Sequence, residues 1–558
     1  MQLRPYQQRA LDNIHNEFSK VNSTLLVHAT GLGKTIIFSH LAKEYMDKGR
    51  IMVLAHMEEL VGQAWRKLDT ITGETPDTEM GEWSSNEWGA YKSNIVVGTI
   101  QTQISKRGDA RRFHKFDPKE FSLLIVDECH HAASKSYRMV IDYYRQNPNL
   151  KVLGVTATPD RADEKALGEI FESVADEYEI QDGIGDGWLV PIYARPVEVE
   201  GLDYSQVRTT AGDLNGADLS RILEYEEILH KFAWPIIDFS GDKKTLVFTA
   251  SVAQAERLCE ILNRHKPNSA QWVHGGTPKE QRRELWPAYA RGDFQYLVNC
   301  GITIEGWDEP GVQIIAMCRP TKSRSRYAQM LGRGTRPLDG LVDGYVGSDA
   351  RKLAIVSSTK PHIDILDFVG NSGRHKLVTP ADILGGRFDD IEIDGRLLSV
   401  TERAQQNAII KAAETGESVN IEDELDIAQK QLLREASEEE EKKRRENIKL
   451  RAKYSTGKIN PFAVYDIQPW REREWNRGRQ PTDKQIAFLK QSGIDPEGLS
   501  FTHASQIIDQ VVKNRTNKMA TFKQIKVLQK FGYDTNMTFK EAGNIIDELA
   551  RNNWKRIG

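Results

Sequence analysis

The sequence predicts an α/β fold with two tandem domains, each built on a parallel sheet, and a mostly helical region at the C-terminus. The first observation is that short apolar segments alternate with longer helical patterns across residues 1–360. Strands that are apolar along their length and separated by helices indicate parallel sheets covered on both faces. The second is a polar, glycine-containing segment at 201–216, which divides these segments into two groups. The third is a change to charge-dense, helix-forming sequence beyond residue 370.

Nine segments are predicted as buried strands. They are Leu25–Val27, Ile51–Leu54, Ile95–Val97, Leu123–Val126, Val152–Val155, Leu246–Phe248, Tyr296–Val298, Ile314–Met317 and Leu353–Val356. A chain of 558 residues is too long for a single core. We expect a first domain at 1–195, a second at 196–370, a charged and partly helical linker at 371–480, and a helical module at 481–558.

The composition is that of a globular protein and excludes several other classes. Hydrophobic residues make up 39% and charged residues 28%, with no apolar run long enough to cross a bilayer. The N-terminal segment lacks the apolar centre of a signal peptide, so we expect a cytoplasmic protein. The compact architecture favours a bacterial or phage origin. Four widely spaced cysteines predict buried thiols rather than zinc sites or disulfides. Because the net charge is −4, any nucleic acid must bind to local basic surface and placed donors.

An internal repeat marks the C-terminal module. The segment that begins at Thr482 matches the segment that begins at Thr521, and each opens with a Thr-x-x-Gln capping box. The first helix of each copy is expected to end at a glycine, Gly493 or Gly532. A helical hairpin this short cannot bury its apolar stripe alone, so we expect the two copies to pack together.

The segment ATGLGKT, residues 29–35, is a candidate phosphate-binding loop between a predicted strand and a helical pattern. Glycines let the backbone curl so that its N–H groups point at phosphate oxygens. Lys34 supplies positive charge for the β- and γ-phosphates, and the Thr35 hydroxyl can bind Mg²⁺. His28 stands where the common pattern has its first glycine, so a glycine-rich turn without nucleotide is the alternative. The predicted contacts to ATP are those of Thr30, Gly31, Leu32, Gly33, Lys34 and Thr35.

Two adjacent carboxylates, Asp127 and Glu128, follow the predicted strand Leu123–Val126. Ligands of parallel α/β sheets lie at the carboxyl ends of the strands. Asp127 is expected to hold the metal, and Glu128 to polarise the attacking water. Together with the upstream phosphate loop, this pair predicts hydrolysis of a nucleoside triphosphate.

Two arginines, Arg333 and Arg336, lie in the second predicted domain. Arginines that reach a nucleotide held by another domain stabilise transition-state charge. Hydrolysis would then require closure of the cleft between the domains. The alternative is an arginine-rich helix end that forms surface ion pairs.

With these motifs the chain resembles the superfamily 2 helicases with a DEAH-like box, here DECH, and especially the DNA helicases and translocases related to excision-repair and fork-remodelling motors. The motifs occur in order as LRPYQ (3–7), ATGLGKT (29–35), DECH (127–130), TATP (156–159), LVFTAS (246–251), VHGGT (273–277), EGWDEPGV (305–312) and QMLGRGTRP (329–337). The resemblance implies two RecA-like domains and movement along nucleic acid driven by ATP and Mg²⁺.

The resemblance also implies roles for individual residues. Arg4 and Gln7 would contact the adenine base, and Gln329 would help to join the domains. Gly306 and Asp308 would contact the nucleotide, while Arg333 and Arg336 would face the γ-phosphate. Contacts to the nucleic-acid backbone would come from Thr99, Gln101, Thr249, His274 and Thr303.

Two departures from the family pattern concern the nucleic acid along which the motor would move, here called its track. Met57, in AHMEEL, stands where relatives usually have a basic residue, so one phosphate contact is missing or is supplied elsewhere. Glu305 stands where RNA helicases generally have arginine, which favours DNA over RNA.

Four functions remain open at this stage. The first is a DNA-stimulated ATPase that unwinds or remodels duplex or branched DNA. The second is an RNA helicase, because backbone contacts do not distinguish the two polymers. The third is the motor subunit of a restriction or defence assembly. The fourth is a scaffold without turnover, which the intact Lys34, Asp127 and Glu128 argue against. The module at 481–558 is expected to contact DNA or a replication or repair protein, or to cap the motor.

Overall fold

The structure, a computed structural model, divides into two units, Met1–Arg434 and Glu435–Gly558. It describes residues 2–85, 92–107, 110–157, 167–210, 212–301, 308–371, 375–386, 388–393, 396–453, 460–470, 478–552 and 554.

The first sheet of the larger unit has seven strands, all parallel. Across the sheet they are Asp77–Glu79, Ile95–Thr99, Arg50–Ala55, Phe121–Asp127, Lys151–Thr156, Ser23–His28 and Ser173–Tyr178. The central strands are buried along their length, as their continuous apolar sequence predicts.

The second sheet also has seven strands, of which only the last is antiparallel to its neighbour. In order they are Ala270–His274, Tyr296–Cys300, Thr245–Thr249, Ile314–Cys318, Ile363–Asn371, Ile192–Asp203 and Val419–Asn420. In parallel sheets of this kind the strand ends form the edge where ligands bind.

Helices alternate with these strands, as parallel connections require. In the first domain they are Pro5–Phe18, Lys34–Tyr45, Glu58–Thr72, Ile100–Ile104, Lys135–Tyr144 and Ile180–Gly185. Beyond them lie Gly216–Leu223, Glu226–Ser240, Val252–His265, Lys279–Arg291, Arg324–Gly332, Ser348–Val356, Pro380–Leu384, Val400–Thr415 and Ile421–Lys453.

The predicted fold class is confirmed: two parallel-sheet α/β domains precede a helical C-terminal region. One of the nine predicted strands is wrong, because Leu353–Val356 is the end of the helix Ser348–Val356. Leu353 and Val356 are 68% and 63% exposed, as residues on an outer helix face are. The strand that closes this part of the sheet is Ile363–Asn371.

The strand Ile192–Asp203 differs from the predicted organisation. It spans the expected domain boundary at 195/196 and pairs in register with Ile363–Asn371 of the second sheet. The polar segment that suggested a linker begins inside this strand. Its glycine, Gly201, has φ of 81° at a register shift between Glu198 and Asp203, so glycine here marks a bulge rather than a domain boundary.

The smaller unit contains the repeat. Its helices are Pro461–Val464, Asp483–Gln491, Phe501–Thr516, Phe522–Lys530 and Phe539–Arg551. Both predicted capping boxes form, with Thr482 accepting from the Gln485 backbone N–H and Thr521 from that of Gln524. Both copies contribute to one apolar core, as expected. Phe462 also lies in this core, so the packed region extends upstream of the predicted start at 481.

In the part of the chain that the structure describes, no helix combines the length and apolar character needed to cross a membrane.

Candidate functional site

The candidate phosphate loop lies between the strand Ser23–His28 and the helix Lys34–Tyr45. Gly31 and Gly33 have φ of 89° and 73°, a left-handed backbone that favours glycine. A Cβ on Gly33 would lie 2.5 Å from the Gln7 side-chain nitrogen. The loop therefore requires glycine for its backbone and for its contact with the N-terminal helix.

Lys34 begins the helix, and its Nζ donates to the carbonyl of His28, 3.0 Å away. The backbone of the loop thus curves around the Lys34 ammonium group, at the N-terminal, positive end of the helix. Backbone N–H groups and a lysine at this place are the donors that a triphosphate requires.

His28 replaces the usual first glycine and is fully buried. Its Nε2 lies 2.7 Å from Asp176, which also accepts from Asn13 at 2.8 Å and pairs with Arg9 at 3.1 Å. Burial lowers the pKa of His28, against the opposing effect of Asp176. The departure from the motif is therefore accommodated by a polar network that joins the phosphate loop to the helix Pro5–Phe18.

Asp127 is the last residue of the strand Phe121–Asp127, and Glu128 follows with φ of 47°. The Glu128 backbone N–H donates to the Asp127 carboxylate at 3.0 Å, and both side chains are buried. His130 lies 3.3 Å from the Glu128 carboxylate. Burial disfavours the Glu128 carboxylate, but His130 together with Lys34 and Arg333 lowers its pKa to about 2. Glu128 is therefore ionised at neutral pH.

The helix Arg324–Gly332 of the second domain packs against this site. The Gln329 side-chain nitrogen lies 3.5 Å from a carboxylate oxygen of Glu128. A Cβ on Gly332 would lie 2.5 Å from the Thr30 Cβ, so the helix end approaches the phosphate loop closely. The predicted hydrolysis residues of the two domains are thus in contact.

Arg333 and Arg336 follow that helix. The charge of Arg333 contributes to the lowered pKa of Glu128, after His130 and Lys34. Arg336 pairs with Asp308 and, at 3.4 Å, with Asp339. Its Cγ also lies 3.0 Å from where a Gly31 Cβ would be. Arg336 therefore lies beside the candidate phosphate loop.

The segment predicted to contact the base also contacts the phosphate loop. Gln7 donates to the Leu32 carbonyl at 3.2 Å and accepts from the Arg4 backbone N–H at 3.0 Å. Arg4 pairs with Asp343 at 2.6 Å and lies 4.8 Å from the centre of the Trp188 ring. Sequence reasoning missed Asp343 and Trp188, because no local pattern connects positions so far apart in the chain.

Of the predicted nucleic-acid contacts, Thr99 and Thr249 have buried side chains. Thr99 caps the helix Ile100–Ile104 and donates to the Thr102 hydroxyl at 2.9 Å. Thr249 donates to the Asn299 carbonyl at 2.9 Å. Both hydroxyls bond within their own domains, and the contacts to nucleic acid stay predictions for these two residues.

Gln101 and His274 are the predicted contacts that remain accessible. Gln101 is exposed, and its side-chain nitrogen lies 3.2 Å from His56 Nδ1. The His274 ring stacks on Trp272 with centroids 5.2 Å apart, and its Nδ1 accepts from the Gly276 N–H. Thr303 and Gly306 lie outside the described residues.

Two ion pairs that the sequence did not indicate join the domains near the AHMEEL segment. Glu58 pairs with Lys279 at 2.6 Å, and Glu59 pairs with Arg282. Both carboxylates belong to the helix Glu58–Thr72, directly after Met57. The position where relatives carry positive charge is here followed by two acids held by the second domain.

The chain matches two protein families. Residues 1–161 match the family described as "Type III restriction enzyme, res subunit". Residues 226–337 match "Helicase conserved C-terminal domain".

Curated relatives include helicases from fungi and an archaeon. "Putative ATP-dependent helicase IRC3" of Saccharomyces cerevisiae is 32% identical over 428 residues, which cover 73% of this chain and 57% of the relative. "Putative mitochondrial ATP-dependent helicase irc3" of Schizosaccharomyces pombe is 28% identical, with 62% and 56% covered. "Putative DNA 3'-5' helicase Rad25" of Halobacterium salinarum is 28% identical, with 60% and 52% covered. The chain thus spans little more than half the length of these relatives.

Proposed function

We propose that this chain, which belongs to the superfamily 2 helicases, is an ATP-driven motor that moves along DNA and unwinds or remodels duplex or branched substrates. The contact between Gln329 and Glu128 carries the proposal. It joins the hydrolysis residue of one RecA-like domain to the other domain, so turnover depends on the closed arrangement. A cleft that must close to hydrolyse ATP couples chemistry to movement between two track contacts.

ATP is the fuel that the family and the site support. In this proposal Arg4 and Gln7 hold the base, residues 30–35 hold the phosphates, and Asp308 contacts the nucleotide from the second domain. Arg333 and Arg336 stabilise the charge that develops on the γ-phosphate. Glu128, ionised and buried, orients the attacking water.

The donors Thr35 and Asp127 fit Mg²⁺. A hydroxyl and a carboxylate are the hard oxygen ligands that this ion prefers, and the buried Asp127 ends the strand beside the phosphate loop. The ion would neutralise phosphate charge there. Without the ion, Lys34 would compensate only part of the negative charge of the phosphates.

DNA is the track that we favour. Gln101 of the first domain and His274 of the second are accessible polar side chains suited to backbone contacts, which position a strand without reading its bases. Relatives named as DNA helicases support this choice. The motor of a restriction or defence assembly is the second candidate, because the match of residues 1–161 is to a restriction-enzyme family.

We assign the motor to residues 1–371 and propose that the repeat unit contacts DNA or a replication or repair protein. The side chains of Lys484, Lys490, Lys513, Lys523, Lys526 and Lys530 are all exposed, which suits contact with phosphate. The cytoplasmic location stays a prediction.

The test is the steady-state ATPase rate without polynucleotide and with single-stranded DNA, duplex DNA, forked DNA or single-stranded RNA. Glu128→Gln serves as the blank. We expect stimulation by DNA, greatest on forks. Stimulation by RNA alone would show that the track is RNA rather than DNA. No stimulation by any polymer would contradict the proposed motor function.

A further inference from the structure

Three histidines of the first domain connect the hydrolysis carboxylate with the accessible Gln101. His130 lies 3.3 Å from the Glu128 carboxylate. The rings of His130 and His131 have centroids 4.1 Å apart, and those of His131 and His56 are 4.5 Å apart. His56 Nδ1 is 3.2 Å from the Gln101 side-chain nitrogen. We call His56, His130 and His131 the histidine stack.

The stack is assembled from two strand ends. His56 follows the strand Arg50–Ala55, and the other two rings belong to the 3₁₀ turn Cys129–Ala133 that follows Glu128. Because the strand Arg50–Ala55 pairs directly with Phe121–Asp127, the turn and His56 leave the sheet at the same edge. The contact therefore follows from the sheet register, although the histidines are far apart in sequence.

Two of these rings carry no charge at neutral pH, which permits their close packing. Burial lowers the pKa of His131 to about 4, with further lowering by His130 and His56 and an opposing effect of Glu128. Burial also lowers the pKa of His56, and His130 adds to this. At neutral pH His131 and His56 are uncharged, so repulsion does not separate the rings.

We propose that the histidine stack transmits the binding of a nucleic-acid strand at Gln101 to the position of the Glu128 carboxylate. His56 and His131 are positioning residues that act through His130. The proposal rests on the proposed function and deepens it, because it names the side chains by which the track stimulates hydrolysis. A displacement of Gln101 moves the His56 ring. The movement then passes to His131 and from there to His130 through contacts between tilted rings.

The path can be separated from a second input to His130. The Thr156 hydroxyl lies 3.4 Å from His130 Nδ1, so the end of the strand Lys151–Thr156 also contacts this ring. Thr156 contacts His130, whereas His131 and His56 connect His130 with Gln101. Substitutions at these two positions therefore test the stack without removing the contact of Thr156.

The experiment measures ATPase rates of the full chain at saturating ATP, without DNA and with saturating single-stranded DNA. For His131→Leu we expect the ratio of stimulated to unstimulated rate to fall about tenfold, the size of an ordinary coupling between two sites. His131→Phe keeps a ring at this position and should restore most of the ratio. The control is His114→Leu, since His114 packs on Phe113 and Tyr143 outside the stack.

Two further measurements distinguish positioning from loss of structure. The affinity for single-stranded DNA and the thermal unfolding midpoint of His131→Leu should match those of the unsubstituted chain. Combining Gln101→Ala with His131→Leu should reduce the ratio no further than the stronger single change, because both interrupt one path.

Normal stimulation in His131→Leu, or equal losses in His131→Leu and His114→Leu, would overturn the histidine stack alone. An unsubstituted chain that no DNA stimulates would overturn the proposed function together with the stack. The ATPase rate of the unsubstituted chain with DNA distinguishes the two failures, because only the failure of the proposed function abolishes its stimulation.

Discussion

The Gln329 amide nitrogen of the second domain lies 3.5 Å from the Glu128 carboxylate of the first. Both side chains are buried, with 4% and 7% of the residue surface exposed. Because this contact joins the two domains at the proposed hydrolysis residue, Gln329 is placed to link domain closure to the position of the Glu128 carboxylate. Its distance is at the limit of a hydrogen bond, as expected where a contact tightens on binding.

Gln329→Leu should lower the ATPase rate in the presence of DNA by about 10²-fold, since placement errors of this kind are costly in catalysis. Binding of a fluorescent ATP analogue should change little, because the phosphate loop is intact. The comparison is Gln329→Glu, which would bring a second carboxylate beside Glu128 and should lower the rate at least as much. A normal rate in Gln329→Leu would show that the contact does not report closure.

Arg333 should contribute more to turnover than its charge alone suggests. Its charge lowers the pKa of Glu128, whereas Arg336 is held by Asp308 and Asp339. Arg333→Lys should reduce turnover by about 10³-fold, the lower range for an arginine finger, because lysine keeps the charge but not the planar donors. Nucleotide affinity and single-turnover hydrolysis provide the measurements. If Arg336→Lys alone shows the loss, the roles of the two arginines are exchanged.

The local geometry of the candidate nucleotide site could be predicted because its signals are local. The glycines, Lys34 and the adjacent Asp127–Glu128 pair lie within short segments that a buried strand precedes. What could not be predicted are partners that only the fold brings together. Strand pairing brings His28 and Asp176 together, and the contact between the two domains brings Arg4 and Asp343 together. Nothing in either local sequence indicates the partner.

The error over Leu353–Val356 and the uncertain position of Thr249 have different causes. A short apolar run fits a strand and one face of a helix equally well, which explains why Leu353–Val356 was assigned to a strand. The resemblance gave Thr249 a place near the track, but it gave no information about burial. The structure supplies that information, since the Thr249 hydroxyl bonds to Asn299 inside the sheet.

Lys360 should make the stability of the larger unit depend on pH. It is buried, and its Nζ donates to the carbonyls of Pro310 and Arg336 at 2.6 and 2.7 Å. Burial lowers its pKa from 10.5 to about 7, with Arg336 lowering it further and Glu309 opposing. Between these two values the unfolded chain binds more protons than the folded one, so the free energy of unfolding rises with pH in this window.

Lys360→Met removes this dependence and leaves two buried carbonyls without a donor. We expect a loss of about 1–3 kcal/mol at neutral pH and a larger difference from the unsubstituted chain as the pH rises. Urea unfolding at several pH values measures it, with Lys352→Met, an exposed lysine of the preceding helix, as the control. A difference that stays constant from neutral to alkaline pH would contradict the lowered pKa.

Glu58 and Glu59 should weaken binding to DNA. They pair with Lys279 and Arg282 across the two domains and follow Met57, where a basic residue is usual. Glu58→Gln with Glu59→Gln removes two negative charges and frees two cations for phosphate, so affinity should rise severalfold and depend more steeply on salt. Fluorescence anisotropy at two salt concentrations measures this change. The matched change Glu169→Gln, in a surface pair with Arg138, should have no effect.

The capping box at Thr521 should hold the two helices of the second copy of the repeat together. The Thr521 side chain accepts from the Gln524 backbone N–H, and the Gln524 side chain donates to the Phe539 carbonyl of the following helix at 3.0 Å. The segment 460–558 contains a shared apolar core, so we expect it to unfold cooperatively when produced alone. Thr521→Ala should lower its free energy of unfolding by about 1 kcal/mol, and Thr521→Ser should restore it. Thr516→Ala, at an exposed helix end, is the control, and equal losses at both positions would show that the cap contributes nothing specific.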